Sequence, residues 1–496
     1  MEVQYYGQFV ISRRDWTTPT AFSTRQYGPW VVKSHESLPV TSIRTQDGHA
    51  IGCIIGCAID VASGLIVDGD LTLPLNSGHA IEKKETAIHK LMNRLGGRFI
   101  CLIVDKDFQR LYLDAIGHLS CVYANSQEVA ASTPGLILDR DEYDSTMDHE
   151  LARLLDISSR VSARGFYPAG LTPHPAINRL LPNHYLDLNS WKAIRHWPAA
   201  KIATVTFVEQ NVASIAETLK ATIHAILQSR EIYLPITAGR DSRMLLACSR
   251  AHLDRIKLIQ FVNPKGNIDP ENIDHDIAKR LARAHNLDIE FLPIVVATAE
   301  ERNRWYYEVG HCIGGRISDI YPTMARLDGS RVIIPGLGAG AGKHRYWRRS
   351  DKADTEITQD RLLQRMGLPS HPQLRRAVGA WLEEASYFLN TFQLLDLAQI
   401  EHRDGAWGSP STYGQVRFVD HVYPICQRTI FENMLSLPSE YKFKNRLNAD
   451  VIQREWPDLL DLPFNRYVGP RNWLVNAKKV RKLPARLVKG LADYLT

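Results

Sequence analysis

The stretch Leu234–Ala247, "LPITAGRDSRMLLA", constrains this chain more than any other. Leu234, Pro235 and Ile236 read as the end of a buried strand. Thr237-Ala238-Gly239 make a tight turn of small residues. Asp241 and Ser242 sit where a helix begins, and Met244-Leu245-Leu246 supply its apolar face. A helix N-terminus offers unpaired N–H groups and a partial positive charge, so a small-residue turn in front of it can close around a phosphate. Asp241 is a poor phosphate ligand by itself but a good magnesium ligand beside one.

The flanks give that loop its setting. "NVASIAETLKATIHAILQSRE" places Val212, Ile215, Leu219, Ile223, Ile226 and Leu227 at helical spacing before the strand. "IKLIQFVN" (Ile256–Asn263) reads as a second parallel strand. "NIDHDIAKRLARAHNLDIEFLPI" follows as a helix and a third strand. Strands alternating with helices of this length predict a parallel, doubly wound sheet, which binds its ligands at the carboxyl ends of the strands. Thr237–Ser242 and Val262-Asn263 fall there.

The loop resembles the pyrophosphate loop of the asparagine synthetase family, S-G-G-x-D-S. Thr237 takes the serine, Ala238 and Gly239 the glycines, Arg240 the variable place, and Asp241-Ser242 the invariant D-S pair. Asp274, Asp276, Ala278 and Ala282 resemble the family's next helix start. "PGLGAGAG" resembles its second glycine loop, G-x-G-x-D-E, through Gly336 and Gly338. The segment around Leu437-Pro438, with Lys442 and Lys444, is similar to its C-terminal helices. "RLGGRFICLIVDKDFQRLYLDAIGHLSCVYA" is similar to its glutaminase-like domain through Gly97, Phe99, Asp105, Leu111, Asp114, Gly117 and Tyr123. "TPHPAINRLLPNHYLDLN" resembles the connecting segment. The matches run in order from about residue 90 to about residue 470.

The resemblance implies an ATP-pyrophosphatase domain of the adenine-nucleotide α-hydrolase-like kind. It implies ATP and Mg2+ as cofactors, with Asp241 as the metal ligand. Thr237, Ala238, Gly239, Arg240, Ser242, Arg243, Gly336 and Gly338 would hold the phosphates. Val262 and Asn263 would line the adenine site, and Asp241, Lys442 and Lys444 would serve catalysis.

Two departures from the family matter. A glutaminase of this type uses a cysteine directly after the initiator methionine, whose thiolate attacks the amide. Here the sequence starts Met1-Glu2-Val3, and Cys53 and Cys57 lie in an apolar run where buried cysteine behaves as a small hydrophobe. The nitrogen must then come from ammonia or an amine on the acceptor. In the second loop the family's acids are replaced by Gly340 and Ala341. A basic cluster follows: Lys343, His344, Arg345, Arg348 and Arg349. Arginines pair with phosphate oxygens bidentately, so Arg240, Arg243 and part of this cluster are expected to replace some magnesium charge. A solvated basic loop is the plainer alternative.

Composition sets outer bounds. The chain has 496 residues, 44% hydrophobic and 23% charged, which is ordinary for a globular protein of two or more domains. No apolar run could span a bilayer, and no signal-peptide core opens the chain. Seven scattered cysteines read as reduced thiols in a cytoplasmic protein. The net charge of +6 gathers in "NAKKVRKLPARLVKGLADYL", which reads as a basic tail packing its leucines on its own domain rather than on a membrane. The aromatics are not interleaved with the charge, which speaks against nucleic acid.

These readings predict an α+β and α/β chain. A degenerate Ntn-type glutaminase-like sandwich spans residues 1–190, a parallel-sheet ATP-pyrophosphatase domain 205–470, and a basic tail 471–496. The expected reaction is ATP-dependent amide-bond formation through an acyl-adenylate, releasing AMP and pyrophosphate, without glutamine hydrolysis. Its substrate is a small-molecule, peptide or sugar amine. Amidation of a uronic-acid sugar in surface-polysaccharide biosynthesis and an inactive nucleotide-binding scaffold stand as alternatives, and a homodimer is left open.

Overall fold

The computed structural model describes residues 3–158, 165–262 and 273–468. The first half is built from two sheets, antiparallel but for one short parallel pair, Ile43↔Leu71 and Arg44↔Thr72. One has six strands in the order Asn178–Arg179, Val122–Ala124, Val129–Ala131, Phe9–Ser12, Trp30–His35, Phe22–Tyr27. The other has eight, with Leu95–Val104 and Ala50–Asp60 paired at its centre from Gly52↔Ile103 to Asp60↔Leu95. Alternation puts one side of every strand inward. Phe9, Ile11, Trp30 and Val32 from the first sheet meet Cys53, Ile55, Ile100, Leu102 and Leu111 from the second in a shared core. The helix Ile81–Arg94 covers the outer face of the larger sheet with Ile88, Leu91 and Met92. This is a two-sheet sandwich, as expected.

Asp114 shows why the D-x-x-G turn is there. Its carboxylate accepts N–H bonds from Phe99, Ile116, His118 and Leu119 at 2.9–3.3 Å, pinning the turn to the neighbouring strand.

The second half carries a five-stranded, all-parallel sheet. By chain position its strands are Ile232–Pro235, Ile256–Val262, Ile289–Pro293, Val332–Ile333 and Asp420–His421. In space they run third, second, first, fourth, fifth. The order reverses beside the first strand, where a doubly wound sheet opens its crevice. Ile232, Tyr233 and Leu234 are buried, as a central parallel strand requires. The expected helix is found at Val208–Ser229, with its predicted stripe packed inward. The helix after the loop runs Arg240–Cys248.

The halves share one core. Ile59, Ile116, Leu151, Phe166 and Leu181 pack in the same cluster as Ile215, Leu234, Leu246 and Phe431. Among the described residues no helix is long and apolar enough to cross a membrane. Met1, Glu2, Asn263 and the basic tail lie outside the described residues.

Candidate active site at the carboxyl edge of the parallel sheet

The first loop is tied up by its own chain. The Ser242 hydroxyl accepts from Thr237 N–H at 3.2 Å and lies 2.8 Å from the Thr237 hydroxyl, which in turn accepts from Gly239 N–H at 3.1 Å. Ala238 N–H donates to the Asp274 carboxylate at 2.7 Å. Thr237, Ala238 and Gly239 thus have no backbone donor to spare. Gly239 is the N-cap of Arg240–Cys248 and gives that helix no side-chain cap, so the open donors are those of the first helical turn.

A strap closes over this loop. Asn465 N–H bonds the Ala238 carbonyl at 3.0 Å. Arg243, only 1% exposed, donates to the carbonyls of Leu459, Leu462 and Pro463 at 2.5–3.2 Å. Arg240 donates to the Asn445 carbonyl, and both guanidiniums lie over the Phe464 ring at 4.6 and 4.3 Å. Burial, aided by neighbouring Arg240, lowers Arg243 to about 10. The expectation that Arg240 and Arg243 face pyrophosphate is therefore corrected. Both hold the strap. Arg243 lies two residues past Asp241 and so faces another side of the helix.

The second loop packs directly on the first. A Cβ on Gly336 would lie 2.9 Å from Asp241 Cβ and 3.3 Å from Ser242 N, so only glycine lets the loop approach this closely. Gly338 has φ +100°, a left-handed conformation that glycine adopts without strain. Beyond it, Asp241, Gly336–Gly340, Lys343, His344, Arg345 and Asn445 line a cavity of about 340 Å³. The contact that defines the site is an ion pair. Lys343 Nζ donates to Asp241 Oδ1 at 2.5 Å, and Asn448 Nδ2 donates to the same oxygen at 3.0 Å.

The far wall is a π-helix, Gln399–Gly408, continuing Thr391–Ala398. Its wider turn brings Gln399, Arg403, Asp404 and Trp407 to the cavity. Arg403 lies 4.0 Å over the Trp407 ring. Burial pushes Asp404 up to about 7, against the pull of Arg403 and Arg345. Asp404 Oδ1 accepts from Gln399 at 3.0 Å, while the buried Oδ2 has no hydrogen-bond partner. π-helices of this kind concentrate at functional sites.

The first half of the chain holds this wall in place. Arg195 grips Glu401 through two bonds at 2.7 and 3.0 Å, Asn183 donates to it at 2.9 Å, and Trp381 at 2.6 Å. Burial works to raise the Glu401 carboxyl, but Arg195 outweighs it and the pKa falls. Ala169 N–H donates to His402 at 3.2 Å.

The structure brings Asp241, Gly336 and Gly338 to the cavity. Thr237, Ala238, Gly239 and Ser242 stand behind Asp241, and Val262 ends the neighbouring strand. Lys442 is elsewhere. Its Nζ is buried against Asp396 and the Ala341 carbonyl, under the second loop rather than in the cavity. Lys444 is exposed to solvent. The sequence reading missed Gln399, Arg403, Asp404, Trp407 and Asn448. The one signal was "EHRDGAWG", charges and glycines straight after an apolar helix.

A resident magnesium does not fit this donor set. Asp241 Oδ1 is already held by an ammonium and an amide. The second-loop acids are glycine and alanine, and a Cβ on Gly340 would lie 2.9 Å from Gln399 Nε2. Asp404, the other cavity acid, feels Arg403 and Arg345. Among the described residues no group of three or more His, Cys, Asp or Glu side chains could hold a metal ion.

No family model matches the chain, and no curated protein matches it. The solved structures similar to parts of it include two synthetases. The NH3-dependent NAD synthetase from Campylobacter jejuni subsp. jejuni NCTC 11168, in complex with the nitrate ion, is 12% identical over 40% of this chain and 96% of that one, with a TM-score of 0.20. The NMN synthetase from Francisella tularensis is 11% identical over 43% of this chain and 94% of that one, with a TM-score of 0.19.

Proposed function

We propose that this chain is an ATP-dependent amide ligase. A substrate carboxylate oxygen attacks the α-phosphorus of ATP, and the bond to the bridging α–β oxygen breaks, releasing pyrophosphate. An amine then attacks the acyl carbon of the adenylate, AMP leaves, and the amine gives up a proton. The observation that carries this reading is the meeting of the two glycine loops at the reversal point of a parallel sheet. They close on a cavity walled by Lys343, Arg345 and Arg403. Its cations suit a polyphosphate, and the resemblance of Thr237–Ser242 to a pyrophosphate loop names which one.

Ammonia or an amine, not glutamine, supplies the nitrogen. Six of the seven cysteines are buried, and burial holds the half-buried Cys57 thiol up at about 11. None can present a thiolate. A second reading, a nucleotide-binding scaffold without turnover, is favoured by the first loop's occupied N–H groups and its strap.

Isotope exchange between pyrophosphate and ATP, run across panels of carboxylates, separates the two. A ligase exchanges label with its own carboxylate and yields AMP rather than ADP when an amine is added. Nucleotide binding with no exchange for any carboxylate would leave the scaffold.

A further inference from the structure

The ion pair at the centre of the cavity has a consequence for how the phosphate chain is held. We propose that Lys343 takes the place of the divalent cation, so that this site binds a polyphosphate without metal. This rests on the nucleotide reading above and goes beyond it.

Four observations carry it. Lys343 Nζ sits 2.5 Å from Asp241 Oδ1, on the acid that the loop pattern reserves for magnesium. Asn448 fixes the same oxygen from the opposite segment, so the carboxylate is already oriented through Oδ1. The second loop brings no acid, and Gln399 fills the space behind Gly340. Lastly, Arg345 and Arg403 line the same cavity, and Arg345 makes no hydrogen bond or ion pair among the described residues.

The chemistry agrees. Magnesium needs near-octahedral oxygen ligation and gives up water reluctantly. Placed here it would meet three side-chain cations, Lys343, Arg345 and Arg403. An ammonium is a compact point charge with three donors. One serves Asp241, which leaves two for phosphate oxygens. The Arg345 guanidinium adds a planar fork suited to a phosphate edge. Asp241 then acts by aiming Lys343 at the ligand.

The test is calorimetric titration of ATP, and separately of inorganic pyrophosphate, into the full chain in EDTA and in excess magnesium. Wild type is expected to bind ATP in EDTA within about threefold of its affinity in magnesium. Lys343→Ala should bind roughly ten- to a hundred-fold more weakly in EDTA, the loss of one charge-assisted contact. Lys343→Gln keeps a donor to Asp241 and should show most of the same loss, and thermal melting confirms that both variants are folded. ATP binding that appears only with magnesium overturns the proposal and leaves the nucleotide reading standing. So does a Lys343→Ala variant equal to wild type in EDTA. The absence of ATP binding under both conditions overturns both.

Discussion

The two loops that meet at Asp241 differ in what they can offer a ligand. The first, Thr237–Gly239, only resembles a phosphate loop in sequence, and its backbone donors serve Ser242, Thr237 and Asp274, while a strap from 459 to 465 lies over it. The second, Gly336–Lys343, carries no acid, yet it borders the cavity and stands among the cations. A motif marks where a backbone turns. Which wall of the site still has donors to give depends on where side chains land, and here they favour the second loop.

The sharpest way to break this comparison is to cut the support of the far wall. Glu401→Gln leaves buried Arg195 with only the half-exposed Glu384, 3.6 Å away, as counter-charge, and should cost about 3 kcal/mol in urea unfolding. An unchanged midpoint would mean that the π-helix stands without the first half of the chain.

Next come the two kinds of arginine. Arg243→Ala deletes charged bonds to three buried carbonyls and should lower stability by about 2–4 kcal/mol, with ATP affinity changed little. Arg345→Ala should do the reverse, weakening ATP binding roughly tenfold or more at an unchanged melting temperature. If Arg243→Ala loses affinity in a stable protein, the first loop is the working wall after all.

A smaller effect sharpens the electrostatics. Burial keeps Asp404 protonated below about pH 7, with Arg403, Arg345, Gln399 and Asp241 around it. As pH rises through 7 it gains a negative charge beside the bound phosphates, so ATP affinity should fall, by roughly three- to tenfold. Asp404→Asn removes that dependence, and its titration curve subtracts the nucleotide's own protonation. Parallel curves for the two proteins would place the phosphates away from Asp404.

The smallest expected effect is none. No glutamate should be released from glutamine, with or without ATP, because every thiol of this sequence lies within the fold. Measurable release would restore a glutaminase role to the first half.

Much of the framework was legible in the sequence. The alternation of helices and strands from 208 to 293 follows the hydrophobic period, and Asp241 sits at the helix start that its neighbours predict. Arg243 was misplaced because a loop pattern is read along the chain, whereas a helix turns residues two apart to different faces. Lys442 was misplaced because a lysine deep in a helical segment looks the same whether it reaches a ligand or, as here, a buried Asp396. The far wall was barely legible. Gln399, Arg403 and Trp407 stand four residues apart, a spacing an ordinary helix also groups, but Asp404 comes round to the side of Gln399 only at the wider π turn.

That last point makes the wall sensitive to chain length in a way that no substitution tests. A π turn holds nearly one residue more than an α turn. Shortening Gln399–Gly408 by a single residue after Asp404 would let the segment relax into an ordinary helix. At about 3.6 residues per turn Asp404 would swing away from the side of Gln399, while Arg403 stayed near it. The surplus residue in this helix thus acts as a spacer. It sets whether Asp404 meets the ligand beside Gln399, and a one-codon deletion would undo that placement.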